Sequence, residues 1–250
     1  GRVSNDQLGE VFAHDIRASG VDFTTAYAAD GTPTGRCLIV VTPDAQRTMN
    51  TFLGTSAMLS EADVDYGLIA ASPLTYLEGY LWDAADPRAA MAKACEVAHA
   101  NGRRVSFTLS DVFCVERHRA DFLRLARGGV DILFANENEL KSLYETQDFD
   151  AAVAAQRGAC EVSVITRSEK GAIVLTKDEA IAIPAEAATR VVDTTGAGDL
   201  FAGGFLAGFS EGRALADCAV MGAVAAAEII SHIGARPEAD LAALVAKRLG

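Results

Sequence analysis

The chain has 250 residues, half of them hydrophobic, and a mean hydropathy of +0.17, which excludes a mainly disordered state and suits one large α/β domain or a large domain with a small appendage. Its formal charge is −12, from 22 Lys and Arg against 34 Asp and Glu, and no basic cluster supplies the cationic footprint that nucleic acid demands. Any anionic ligand must be held by local devices: backbone N–H groups, one or two Arg, or a bound cation.

Residues 6–19 set Leu8, Val11, Phe12 and Ile16 on one helical stripe that Gly20 closes. Residues 23–28, 36–42 and 47–52 are short β-type runs separated by Asp30-Gly31 and Pro43-Asp44, predicting a three-stranded antiparallel flap too thin for a core of its own. From Asp65 onward strands alternate with helices. A β run at 67–72 precedes a helix with Asp86 as N-cap, Pro87 at its first position and Gly102 after its last turn. A strand at 104–109, a helix at 115–127 and a strand at 130–135 follow, then a helical stretch at 151–156 and strands at 162–166 and 172–176. A last β-type run, 190–192, leads into Gly- and Ala-rich helices at 197–209, 214–232 and 237–249. This alternation implies crossover connections and a mainly parallel sheet with helices on both faces.

Uncharged stretches such as 200–210 and 218–227 fall well short of the ~20 apolar residues a membrane span needs, and residues 1–3 begin no signal segment. The five cysteines are widely and irregularly spaced with no C-x-x-C, so they indicate neither a disulfide framework nor a zinc site. They read as small apolar residues in a reducing compartment, which places the chain in the cytoplasm. The four histidines show no metal-ligand spacing.

The segment Asp193-Thr-Thr-Gly-Ala-Gly-Asp199 opens a long helix. Gly196 and Gly198 let the backbone present successive N–H groups as a concave anion site, and the helix dipole adds positive charge there. Asp199 is out of place in such a turn unless it orients an attacking hydroxyl and accepts its proton late in a phosphoryl transfer, a task for which a carboxyl held low by neighbouring amides suffices. The same residues could simply cap a helix. A Walker-type loop is absent, and Phe201 stands where a dinucleotide fingerprint needs its third Gly.

The run from Asp193 to Phe205 resembles the carboxy-terminal signature of the PfkB-type carbohydrate kinases, the ribokinase-like superfamily that includes adenosine, ribo-, fructo- and ketodeoxygluconate kinases. The resemblance implies a three-layer ribokinase-like α/β fold with a mainly parallel central sheet and a small β lid. It makes residues 1–20 and 55–250 the kinase domain and 21–54 the lid segment. By the same resemblance Asp199 is the catalytic base and the amides of Gly196, Ala197 and Gly198 form the anion hole.

Asn136 and Glu139 spell a capping box at the start of a helix, and they also match the family's Asn-x-x-Glu motif. That match implies that Asn136 approaches the ATP phosphates and that Glu139 holds Mg²⁺ through water. Thr166, Ser168 and Gly171 fall on the family's Thr-x-Gly-x-x-Gly nucleotide turn, with Ser168 replacing its first Gly, although a bare hairpin turn would need no function. Arg47 stands where the adenosine-kinase branch has an Arg that reaches the transferred phosphate, and Ala223 falls beside the adenine. The resemblance also admits a monovalent cation and a homodimer formed through the lid, and it assigns no ligands to that cation.

Residues 1–9 resemble a family segment that normally follows a first β-α-β region, so the N-terminal part of the fold is expected to be missing, together with the residues that bind the acceptor. A sheet without a central strand exposes apolar faces and unpaired backbone, and residues 1–250 are expected to fold poorly alone. The function that results is ATP- and Mg²⁺-dependent phosphorylation of a primary hydroxyl on a nucleoside or sugar, adenosine-kinase-like in the first instance. A ribokinase-, fructokinase- or ketodeoxygluconate-kinase-type sugar kinase, a non-catalytic nucleotide-binding module and a hydride-transfer enzyme are the alternatives.

Overall fold

The computed structural model describes residues 1–250, which group into two compact units. The first comprises Gly1–Val40, Thr48–Thr75 and Leu81–Arg103, and the second Val41–Arg47, Tyr76–Tyr80 and Arg104–Gly250.

In the first unit, helix α1 (Gln7–Ala18) begins at Asp6, whose Oδ1 accepts from Gly9 N at 2.9 Å. The same carboxylate accepts from Thr34 N at 2.8 Å and Thr34 Oγ1 at 2.6 Å, which pins a distant loop to the helix start and, Thr34 first, holds the carboxyl below its ordinary range. Residues 23–28 are not a strand. Phe23 is buried with Val3 and Ala13 and meets Phe12 edge-on at 5.6 Å, and Arg17 Nε takes its carbonyl at 3.0 Å, so side chain and backbone are both committed to α1. The flap is therefore two-stranded, from β1 (Arg36–Val41) and β2 (Arg47–Phe52).

The apolar run expected as a strand at 67–72 is helix α2 (Tyr66–Ala71), because Asp65 caps it by accepting from Leu68 N at 3.0 Å. The strand follows as β3 (Leu74–Glu78). Helix α3 (Ala85–Ala100) starts earlier than its signals suggested, with Ala84 as N-cap, so Asp86 and Pro87 both sit in the first turn. Pro87 is harmless there, since first-turn N–H groups have no intrahelical partner.

The second unit is built on a six-stranded sheet in chain order, from β3 through β4 (Arg104–Thr108), β5 (Ile132–Asn136), β6 (Val162–Thr166) and β7 (Ala172–Leu175) to β8 (Ala180–Ile183). Strands β4, β5 and β6 pair in parallel, while β6–β7 and β7–β8 are antiparallel. Helices α4 (Val112–Arg124), α5 (Glu137–Leu143) and α6 (Phe149–Gln156) fall between strands, and α7 (Ala197–Ser210), α8 (Leu215–Ile229) and α9 (Leu241–Leu249) close the chain. Residues 190–192 are not a strand either, since Val192 N bonds the Ile230 carbonyl at 2.8 Å, beside the end of α8.

The register shows why both sheet faces are covered. Phe107 pairs with Leu133 and Thr108 with Phe134, so Phe107 and Phe134 project to opposite faces. Phe107 meets Phe122 of α4 at 5.1 Å, and Phe134 meets Phe205 of α7 at 5.6 Å, both edge-on and all four buried. No helix is long and apolar enough to cross a membrane.

Helices α7 and α8 touch backbone to backbone. A Cβ on Gly204 would lie 2.7 Å from the Met221 carbonyl oxygen, whereas one on Gly203 would meet nothing within 4 Å. Gly204→Ala is expected to cost about 1–3 kcal/mol by overpacking. The adjacent Gly203→Ala should instead gain roughly 0.5–1 kcal/mol of helix propensity. Urea midpoints of the two variants, measured at constant m-value, check the opposite signs.

Candidate active site

Parallel pairing lines up the carboxyl ends of β4, β5 and β6, the edge at which open α/β sheets bind ligands. Asn136 and Thr166 end their strands as direct register partners. Asn136 caps α5 in a reciprocal box with Glu139. Asn136 Oδ1 accepts from Glu139 N at 2.9 Å, Glu139 Oε2 accepts from Asn136 N at 2.8 Å, and Glu139 Oε1 accepts from Asn136 Nδ2 at 2.6 Å. Glu139 is 5% exposed, and burial pushes its carboxyl up to about 7.

The β6–β7 connection folds on itself through Arg167 N to the Gly171 carbonyl at 2.7 Å. Gly171 has φ +84°, and a Cβ there would come within 2.0 Å of the Ile183 carbonyl oxygen. Ser168 adopts φ +51°, the left-handed conformation that the motif's usual Gly would take freely, at a cost of about 1–2 kcal/mol.

Across from it, Asp193 is buried and shapes the turn into α7. Its Oδ1 accepts from Thr195 N at 2.9 Å and Thr195 Oγ1 at 2.6 Å, and its Oδ2 accepts from Gly234 N at 3.2 Å. Burial pushes this carboxyl up, but the bonds from Thr195 and Gly234, with Arg47 nearby, outweigh it and hold the group below its ordinary range. Gly196, at φ +81°, is the N-cap of α7, and the first helical N–H, that of Ala197, donates to the Thr194 carbonyl at 3.4 Å. Arg47 donates from its guanidinium to Thr194 Oγ1, across 147 residues of sequence.

A cavity of about 700 Å³ lies between the two turns, within the size range of small-molecule sites. Thr194, Ala197 and Gly198 form one end; Thr166, Ser168 and Gly171 line it at the hairpin; and small apolar residues including Ala223, Ala227 and Ile230 supply a wall. Asn136, Glu139, Gly196, Asp199 and Arg47 do not line it.

Asp199 lies one residue beyond the cavity's end, exposed to solvent on one side. The protein packed around it strips part of its hydration and raises its carboxyl above the ordinary range, an effect that Arg47 opposes. The expected lowering by neighbouring amides is thus overturned, because desolvation is the larger influence. The half-buried Glu78, at the end of β3, is raised by burial and then by the Asp199 charge. Tyr76 and Tyr80 are held un-ionised far above their usual range by burial first, with Asp199 and Glu139 both adding to the effect. Asp199 and Glu139 therefore act on the same two tyrosines.

Residues 1–241 match the pfkB family of carbohydrate kinases. The chain belongs to this family. The cytidine kinase of Thermococcus kodakarensis is 38% identical over 137 residues, which is 53% of this chain and 49% of that protein, so the match spans about half of that relative. Among solved structures, the adenosine kinase from Sinorhizobium meliloti is 47% identical with a TM-score of 0.96, covering 100% of this chain and 76% of that one. A probable sugar kinase from Rhizobium etli CFN 42 has the same TM-score at 45% identity, covering 99% and 76%. The architecture is the ribokinase-like α/β fold with a mainly parallel central sheet, and the small antiparallel sheet fits a lid.

In this pfkB-family chain the structure gathers Thr166, Ser168, Gly171, Ala197, Gly198 and Ala223 around one cavity. Arg47 reaches the turn into α7 through Thr194, and Asn136 stands beside Thr166 in the sheet. Sequence reasoning missed Tyr76 and Glu78 on β3 and Tyr80 in the turn just after it, because it reads the strand at 67–72. The alternating pattern of Thr75, Leu77 and Tyr76, Glu78 is too short to register against the stronger apolar run before it.

The Glu139 carboxyl yields a prediction whose sign is fixed. Its folded-state value of about 7 lies above the ordinary 4.5, so its contribution is fully present below 4.5 and is lost as pH rises through about 7. Glu139→Gln should remove that loss, flattening the dependence of urea stability on pH between 4.5 and 7 relative to the parent.

Proposed function

We propose that the protein is an ATP- and Mg²⁺-dependent kinase that phosphorylates a primary hydroxyl of a ribonucleoside, in the manner of its adenosine- and cytidine-kinase relatives. The observation that carries this reading is the cavity that ends on Thr194, Ala197 and Gly198, with Asp199 as the next residue of the helix. A triphosphate seated in it would point its terminal phosphate at the N-terminus of α7, where N–H groups and the helix dipole favour negative charge.

Transfer then needs little covalent help from the protein, because the transition state is loose and spreads its charge over phosphoryl oxygens. Asp199 accepts a hydrogen bond from the acceptor hydroxyl, aligns its oxygen with phosphorus and takes its proton as the new P–O bond forms. The bond to the leaving oxygen of ADP breaks in the same step. The raised carboxyl of Asp199 suits a late proton acceptor, and Arg47 opposes that rise from its place on Thr194, where its guanidinium would also favour charge on the transferring oxygens.

No group of three or more His, Cys, Asp and Glu is arranged to cage a metal. Mg²⁺ keeps several waters and binds through one or two carboxylates and substrate phosphates. Glu139 has lone pairs left after the Asn136 bonds and would hold the ion through water, while Asn136 approaches the phosphates. When bound, the ion neutralises charge on the donor phosphates. A net charge of −12 and cysteines without disulfides fit a cytoplasmic enzyme acting on small molecules.

A sugar acceptor is the second reading, favoured by the 45% identity to the Rhizobium etli protein. A panel of adenosine, cytidine, inosine, ribose and fructose separates the two: turnover of a nucleoside and none of the free sugars supports the first. Asp199→Asn should lower kcat by roughly 10²–10⁴-fold with ATP affinity retained. Parent-like turnover by that variant sinks the mechanism. Arg47→Ala should cost about 10²-fold in kcat. It should also move the acid limb of the pH profile of kcat to higher pH, because the guanidinium that lowers the Asp199 carboxyl is gone.

A further inference from the structure

The hairpin turn from Thr166 to Gly171 borders the cavity, and a group of side chains outside the cavity holds it in place. Asn136 and Thr166 are the last backbone pair between β5 and β6. The next residue on each side, Glu137 and Arg167, continues the pairing through side chains, with Arg167 Nε donating to Glu137 Oε2 at 3.0 Å. Lys141 Nζ lies 3.5 Å from Glu137 Oε1, and Lys170 Nζ lies 3.9 Å from Oε2. On its other face the Arg167 guanidinium lies 3.9 Å from the ring centroid of Phe149, the first residue of α6. Both partners of the pair are only about a fifth to a quarter exposed, at 21% and 24%.

Neither end of this contact is needed to form its own element. Helix α5 is capped by Asn136 and Glu139 without help from Glu137, and the turn closes through Arg167 N to the Gly171 carbonyl. What the contact adds is the position of the turn relative to the start of α5. Ser168 sits in that turn in a left-handed conformation that it adopts only under constraint.

We infer that Glu137, Arg167 and Phe149 form a clamp that positions the Thr166–Gly171 turn against the donor nucleotide. This makes Glu137 and Arg167 positioning residues for ATP binding although neither lines the cavity. The inference rests on the reading of that cavity as the ATP site. The clamp holds only the hairpin side of the cavity, since none of Glu137, Arg167 and Phe149 bonds the Thr194–Asp199 turn or Arg47.

The test is a double-mutant cycle on the purified protein with Glu137→Gln, Arg167→Gln and both together, reading KM for ATP, KM for the acceptor, kcat and Tm. Each single change should raise KM for ATP about 3- to 10-fold, and the double variant should be no worse than the weaker single, as for residues acting through one contact. The acceptor KM and kcat at saturating ATP should stay within about twofold of the parent. Should a charge variant fail to fold, Phe149→Leu removes the stacking surface alone and should raise KM for ATP in the same direction. Parent-like KM for ATP in the variants, or equal rises in both KM values, overturns the clamp. A parent that neither binds ATP by calorimetry nor transfers phosphate overturns the reading of the cavity itself.

Discussion

The buried Asp193 carboxylate governs the shape of the turn that opens α7. Both its oxygens are committed, to Thr195 on one side and to Gly234 on the other, so two segments 41 residues apart are fixed to one group. A carboxylate at 2% exposure is tolerated only when hydrogen bonds replace the water it has lost, and here they hold the group ionised. With that anchor in place Gly196 can take its left-handed turn and the helix can begin one residue later. The cavity end at Thr194, Ala197 and Gly198 inherits its geometry from this one residue.

The carboxylates nearer the strand ends meet the opposite fate. Glu139 is buried with hydrogen bonds from Asn136 alone, too few to offset desolvation, and its carboxyl rises to about 7. Asp199 and Glu78 rise as well, with only Arg47 pulling on Asp199 from the other side. The pattern separates carboxylates that shape the fold, held low by a threonine hydroxyl together with backbone N–H groups, from those left under-compensated where chemistry would occur. Such under-compensation lowers stability, and it concentrates at functional sites for that reason.

Much of this was legible in the sequence, for identifiable reasons. The glycine turn, the Asn136–Glu139 box and the strands β4, β6 and β7 were readable because each rests on local chemistry: a cap, a left-handed turn or a short run rich in β-branched and apolar residues. What failed was decided at long range. Residues 23–28 have strand-like composition but were captured by α1 through Phe23 and Arg17. Residues 67–72 look like a buried strand, and one carboxylate cap at Asp65 tips them into a helix. The raised Asp199 carboxyl could not be read from its motif, because the motif names the amides around it and is silent on the packing contributed by other segments. The Glu137–Arg167 contact was equally invisible, since only strand register brings residues 30 apart into line.

Arg47 belongs to the hairpin and Thr194 to the turn, so the positive charge beside this turn is on loan from a separate stretch of polypeptide. A protease cut or a short deletion at the hairpin tip would withdraw that charge and leave the walls formed by residues 166–230 standing. Under the proposed function, loss of turnover with retention of the cavity is then a single mutational event, a route from enzyme to pure sensor that leaves the receptacle itself unaltered.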